Sequence, residues 1–205
     1  MQWIRWFSEI GIDDVALVGG KNASLGEMLR ELAPLGVPVP DGFAVTAEGF
    51  RHFLRANALE EKIATTLSAP GPEGVTDIEA KSLAVRELVL AGTMPQDLAD
   101  DIRAGYRELS RRHAQPMLEV AVRSSATAED LPGASFAGAH ETLLNVQGES
   151  ALMDSVRRCF ASLYTPRAIA YRNDMGFAHD AVSLSVGVQK MLATDAGVSG
   201  VIFTL

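Results

Sequence analysis

Three short strings concentrate the residue types that handle an anion. The first is Val18-Gly19-Gly20-Lys21-Asn22-Ala23-Ser24-Leu25-Gly26. Two glycines let the backbone approach a ligand with no Cβ in the way. Lys21 then stands at the mouth of a helical pattern, where the dipole and the first N–H groups favour negative charge. The string is not a Walker A loop. That motif has a glycine five residues before its Gly-Lys pair and a hydroxyl residue after the lysine, and Val15 and Asn22 hold those positions here. A plain glycine turn ahead of an exposed lysine reads the same residues equally well.

The second string is Val122-Arg123-Ser124-Ser125-Ala126. An arginine at the end of a strand presents a guanidinium fork that binds phosphate bidentately, and two hydroxyls follow it. The alternative is a structural arginine paired with Glu129 or Asp130. The third string runs from Leu131 to Gly138. Its Gly133, Ala134, Ser135, Ala137 and Gly138 make a small, flexible loop, able to fold over a ligand and offer N–H groups to it. Phe136 would anchor that loop or shield the site. An ordinary long hairpin loop is the plainer reading, although long loops of such biased composition are usually functional.

Other chemistry-bearing residues read as structural. Cys159 falls on an amphipathic helix as a small core residue. His52, His113, His140 and His179 are scattered without metal-ligand spacing. Glu129 and Asp130 are adjacent, so they point apart and make a poor acid–base pair. Trp3 and Trp6 pack the N-terminal segment, and Arg157-Arg158 reads as a solvated helix face.

The elements that must position these strings follow from periodicity. Residues 1–20 read as an amphipathic lead-in, and Leu25, Met28, Leu29 and Leu32 then give a helical stripe that Pro34 and Gly36 stop. Residues 37–43 carry alternating prolines and suit an edge or polyproline run. Thr46 caps a helix with Phe50, Phe53 and Leu54 inward, and Leu59, Ile63 and Leu67 continue the pattern. Residues 68–76 are the best linker and a possible subdomain break. Asp77 caps the next helix, which ends near Gly92. Pro95 opens another as its first residue, with Leu98, Ile102, Tyr106 and Leu109 on one face.

The pattern then changes. Strands are expected at 118–123, 141–146, 183–192 and 198–205, with the small-residue loop at 124–138 and a hairpin loop at 193–197. Helices are expected at 150–163, with Leu152, Val156, Phe160 and Leu163 inward, and from Thr165-Pro166 to just before Gly176. Helices first and mixed elements later make an α+β fold.

Composition narrows the class. The chain has 205 residues, 47% of them hydrophobic and 21% charged, enough for a real core. A net charge of −8 argues against nucleic acid as a partner. It also means that local cations and a metal ion would have to hold any polyphosphate. One cysteine rules out an internal disulfide framework. No signal-like segment and no run of about 18 apolar residues is present, so a cytoplasmic protein away from the membrane is expected. The chain stops at Leu205 within what reads as a buried strand, so a fragment is expected.

Together these segments resemble the phosphoenolpyruvate synthase family over nearly the whole chain. The resemblance is carried by VGGKNASLGEM at 18–28, VPVPDGFAVT at 37–46, AVRSSATAEDLPGASFAGAHETLLNV at 121–146, ASLYTPRAIAY at 161–171, and residues 186–203. The string at 121–138 is shared with pyruvate phosphate dikinase and the rifampin phosphotransferases, so it marks the superfamily. GGKNASLGEM, with LNVQG at 144–148, looks most like the synthase.

The resemblance implies the N-terminal portion of an ATP-grasp domain, spanning 1–205 and incomplete, that holds Mg-ATP between two α+β lobes. A histidine on a separate swivelling domain would take a pyrophosphoryl group and release AMP. Water would remove one phosphate, and the remaining phosphoryl group would pass to pyruvate in a barrel domain, giving phosphoenolpyruvate. By motif, Lys21 and Arg123 are the implied catalytic residues, holding ATP phosphates and stabilising charge in transfer. Ser124, Gly133, Ala134, Ser135 and Gly138 complete the phosphate end, and Gln189 and Met191 lie by the adenine. The implied Mg2+ ligands, the swivelling histidine and the pyruvate site all fall beyond residue 205. One departure is His140, where the family usually has glutamine. A dikinase-like or rifampin-phosphotransferase-like enzyme, a nucleotide-binding module without catalysis, and a truncated piece with no function of its own are the competing readings.

Overall fold

The computed structural model describes residues 1–70, 75–127 and 141–192. The expected strand at 198–205 and the hairpin loop at 193–197 lie outside the described residues. So do the centre of the 68–76 linker and the loop positions Glu129, Asp130, Gly133, Ala134, Ser135, Phe136, Gly138 and His140.

Among the described residues, five strands make one antiparallel sheet. They are β1 (Ile4–Trp6), β2 (Gly42–Val45), β3 (Val120–Ala126), β4 (Thr142–Val146) and β5 (Leu184–Lys190), in the spatial order β1-β2-β5-β3-β4. The register of β5 is continuous against both neighbours. Arg123 lies opposite Gly187, Ser125 opposite Ser185 and Ala44 opposite Gly187. Side chains alternate across a strand, so this register gives the sheet two unlike faces.

One face is large and apolar. Ile4, Trp6, Phe43, Val45, Val120, Val122, Leu184, Val186 and Val188 pack there against helices α2 (Ala47–Ala56), α3 (Leu59–Ser68), α4 (Val75–Ala91), α5 (Gln96–Arg112) and α6 (Glu149–Ser162). The helical stripes are those expected from spacing. Leu98, Ile102, Tyr106 and Leu109 of α5 are buried, as are Leu152, Val156 and Phe160 of α6. Phe50 and Phe53 meet Phe160 at ring distances of 5.0 and 5.3 Å. Each such side chain contributes roughly 1.5–3 kcal/mol on burial, so this layer is the main source of stability. It joins residues from both sides of the 68–76 linker into one core, including Leu67 and Val85.

The other face is small: Gly42, Ala44, Ala121, Ser125, Ser185 and Gly187. Helix α1 (Val15–Leu32) lies on it and turns Val18, Gly19, Asn22, Ala23 and Gly26 inward. The expected stripe of Leu25, Met28, Leu29 and Leu32 is not the buried face. Met28 is 40% exposed, and Leu25 and Leu29 only flank the core. The reason is distance. A Cβ at Gly19 of α1 would run into Ser125 of β3, and one at Gly187 of β5 into Asn22 Oδ1 of α1, so small residues let helix and sheet approach closely.

Local signals set the remaining ends. Thr46 accepts from the Gly49 N–H at 3.2 Å and caps α2, and Thr165 accepts from Ala168 N at 3.3 Å and caps α7 (Pro166–Asp174). Several expectations shift. The lead-in contains strand β1 and two short 3-10 turns. The prolines at 38 and 40 precede β2, which is an inner strand rather than an edge. Pro95 is the N-cap of α5 rather than its first residue. Asp77 sits inside the first turn of α4, paired with Lys81 at 2.7 Å, rather than capping it. Ser124, Ser125 and Ala126 extend β3 instead of opening the loop. Arg157 and Arg158 are paired, with Asp154 and Glu141 respectively, and Arg157 also reaches the Gly92 carbonyl. Among the described residues no helix is long and apolar enough to cross a membrane.

Candidate functional site

The backbone of α1 leaves helical geometry at Gly19, with φ 72° and ψ 160°, and resumes at Gly20. That region is accessible essentially only to glycine. The break creates a helix mouth at Gly20–Lys21–Asn22, whose first N–H groups have no carbonyl one turn back in a regular helix. Gly19 itself presses on β3, where a Cβ would come within 2.5 Å of the Ser125 carbonyl oxygen and would also meet its Oγ.

Asn22 locks this geometry. It is 2% exposed, and its Nδ2 donates to the Val18 carbonyl at 2.9 Å, across the break, and to Ser185 Oγ at 3.0 Å. Ser185 Oγ in turn donates to the Val45 carbonyl at 2.6 Å. A chain of three buried groups thus ties the helix mouth to β5 and β2. Satisfied buried networks of this kind fix one arrangement.

On the sheet side, alternation brings Arg123 to the same face. Lys21, Gly20 and Arg123 line one cleft of about 550 Å³, together with Ser24, Ile12, Val15, Leu25 and Met28. Two cations from distant parts of the sequence therefore converge beside a helix N-terminus, which is an arrangement that attracts a polyanion. Apart from Ser24 the rest of the wall is apolar, and a low-dielectric wall focuses the field of the two charges in an acidic chain. Arg123 Nη1 donates to Gln189 Oε1 at 3.3 Å, and Gln189 is 9% exposed.

The sequence-predicted residues are thus sorted by position. Lys21, Arg123 and Gln189 come together. Met191 follows β5, its N–H bound to the Glu119 carbonyl at 3.0 Å. Ser124 is not brought to the cleft: its position in the alternation puts it on the face of Val122 and Ala126, and its Oγ donates to the Glu141 carbonyl at 3.2 Å. Ser125 is the hydroxyl on the Arg123 face. It is fully buried behind Gly19, and its Oγ has no hydrogen-bond partner among the described residues. The sequence points to Ser125 only as one of the two hydroxyls after Arg123, and gives Asn22 and Gly187 no role. The alternation of 120–126 would have separated Ser125 from Ser124 had the strand been extended that far.

A larger cavity of about 710 Å³ lies on the other side of the sheet, between α2, α3 and residues 179–183. Leu54, Ile63, Leu67 and Tyr164 line it, with the carboxylates of Glu60, Glu61 and Asp180 against one Arg51. That balance opposes a polyphosphate. Among the described residues no cluster of His, Cys, Asp or Glu is suited to a metal ion. Cys159 is fully buried, and burial drives its thiol pKa well upward, so it is no nucleophile.

The family model described as the pyruvate phosphate dikinase AMP/ATP-binding domain matches residues 15–205. The phosphoenolpyruvate synthase of Aquifex aeolicus is 49% identical over 98% of this chain, and 24% of its own length is covered. That of Deinococcus radiodurans is 51% identical over the whole chain, covering 26% of its length. That of Escherichia coli K12 is 43% identical over 98% of the chain, covering 25%. The chain spans about a quarter of the length of the curated relatives it matches.

Proposed function

This chain belongs to the family of pyruvate phosphate dikinase AMP/ATP-binding domains, and on that premise we propose that it is the ATP-binding part of a phosphoenolpyruvate synthase. The observation that carries the proposal is the convergence of Lys21 and Arg123 on one cleft at the Gly20 helix mouth. The proposed reaction is the one the resemblance implies: ATP, pyruvate and water give AMP, phosphoenolpyruvate and phosphate, by way of a phosphohistidine carried on another part of the polypeptide.

In this proposal the polyphosphate lies in the cleft. Lys21 and Arg123 hold its oxygens, and the N–H groups at the helix mouth add dipolar stabilisation. Each charged contact contributes roughly 1.5–3 kcal/mol. Phosphoryl transfer is largely positioning and electrostatics, so these two side chains act both in binding and in the transfer step. Gly133, Ala134, Ser135 and Gly138 complete the phosphate end from the loop. Ser124 stands on the opposite face of β3 and acts only by holding the Glu141 carbonyl just ahead of β4. Gln189 and Met191 border the adenine. Mg2+ arrives with the nucleotide; the described residues offer no carboxylate set that fits it, and its ligands are proposed to lie past residue 205. The fold is proposed to be the first portion of an ATP-grasp domain, with the swivelling histidine and pyruvate barrel elsewhere in the polypeptide.

Two assays test this reading. Mg-ATP should raise the thermal midpoint of the 205-residue chain in a concentration-dependent way. The chain joined to the remaining three quarters of a synthase should release AMP and phosphate in equal amounts with pyruvate present. AMP release that ignores pyruvate would point to another acceptor.

A further inference from the structure

We infer that Gln189 is a positioning residue for Arg123, so that its contribution to nucleotide binding passes through the phosphates and not only the base. The inference rests on the cleft reading above and deepens it. Arg123 sits opposite Gly187 in the β3–β5 register, and Gln189 lies one step along β5 on the same face, opposite Ala121. Neither of those cross-strand neighbours, Gly187 or Ala121, has a long side chain. Asn22 fills the space at Gly187, and neither small side chain gives the half-buried guanidinium a hydrogen-bond partner that would restrict its torsions.

The Gln189 carboxamide removes that freedom. Its Oε1 accepts from Arg123 Nη1 at 3.3 Å. A guanidinium only donates, so this contact also fixes which way the amide faces, with oxygen toward Arg123. Gln189 is 9% exposed, held at its backbone between β2 and β3 by the registers Gly42–Gln189 and Ala121–Gln189. A fork anchored by one nitrogen keeps its remaining donors for an anion, and fixing the rotamer in advance lowers the entropy lost on binding.

The test is a double-mutant cycle on the 205-residue chain, with Mg-ATP and adenosine as the two probes. Gln189→Met, Arg123→Ala and the double variant are titrated by calorimetry, and adenosine is followed at millimolar concentration by ligand-observed NMR. Gln189→Met is expected to weaken Mg-ATP roughly ten-fold, about the effect of one charge-assisted hydrogen bond beyond the base contact, and to weaken adenosine by a clearly smaller factor, the share owed to the base. In the Arg123→Ala background the Gln189→Met effect on Mg-ATP should shrink to the factor seen with adenosine. Gln189→Asn, whose carboxamide falls one methylene short of Arg123, should give the same pattern if the methionine variant does not fold. Equal losses for both probes, or a loss that persists undiminished without Arg123, would overturn the inference and leave Gln189 as a base contact. A folded wild-type chain that binds neither probe would overturn the cleft reading itself, and this inference with it.

Discussion

Asn22 occupies the space that Gly187 leaves open in β5: a Cβ at Gly187 would collide with Asn22 Oδ1. The pairing joins two strings that look unrelated in sequence, the glycine-rich opening of α1 and the strand that carries Gln189. Gly187→Ala should therefore destabilise the fold by about 1–3 kcal/mol through overpacking. Asn22→Ala should cost a similar ~1–3 kcal/mol, by leaving the buried Val18 carbonyl without its donor. The double variant should lose less than the sum, because removing Asn22 makes room for the new methyl group. Urea unfolding of the three variants checks this; strict additivity would mean that the two residues do not share that space.

Gly19 carries a second prediction. Its backbone conformation is closed to other residues, and Ser125 lies directly against it. Gly19→Ala should cost about 1–3 kcal/mol in stability and should weaken anion binding more than Gly36→Ala. Gly36 also has a positive φ, but a Cβ there meets nothing within 4 Å. Thermal melts with and without Mg-ATP separate the two effects.

The pH dependence of stability should have a component from His179. Its Nδ1 accepts from the buried Arg172 Nε at 2.9 Å. Burial first, and then the Arg172 charge, hold its pKa below the ordinary 6.5, with Asp180 opposing and Lys81 adding to the shift. The folded state thus takes up a proton less readily than the unfolded one. Stability from this group is fully present above about pH 6.5 and declines as pH falls through 6.5 toward the lower folded value. His179→Gln keeps an acceptor for Arg172 but cannot titrate, so its urea midpoint should fall less than the wild type's between pH 7.5 and 5.5. Parallel curves would contradict the assignment.

Cys159 gives a simpler test. With its side chain fully buried and its thiol pKa driven upward by burial, it should not react with a thiol reagent in the folded chain. It should react once on unfolding, and Cys159→Ser should leave nucleotide affinity unchanged. Fast labelling of the native chain would mean that α6 opens readily from the sheet.

What was legible in the sequence follows from how each element is stabilised. Helices α2, α5 and α6 bury large side chains on one stripe, so spacing alone located Phe50, Tyr106 and Phe160 in the core. Thr46 and Thr165 were readable as caps because a hydroxyl ahead of a helical run has one obvious use. Helix α1 was misread for the opposite reason: it is held by what it lacks. Its leucines looked like the buried face, whereas Gly19, Ala23 and Gly26 are the contact surface. Strand β1 is only Ile4–Trp6, too short to show alternation. In the cleft, Lys21 and Arg123 were legible by residue type and by resemblance. Asn22 was not, since a buried amide is recognised only by its partners, here Val18 and Ser185. The choice of Ser124 over Ser125 turned on strand parity, which depended on seeing that β3 runs to Ala126.

In the proposed cleft Lys21 and Arg123 together form one phosphate site. Calorimetric titration of Mg-ATP into the 205-residue chain, with Lys21→Ala and Arg123→Ala alongside, tests it most directly. Saturable binding by the wild type is expected, weakened by roughly ten-fold or more in each variant, as the loss of a charged contact requires. A folded chain that binds Mg-ATP equally well with and without these two side chains would contradict it.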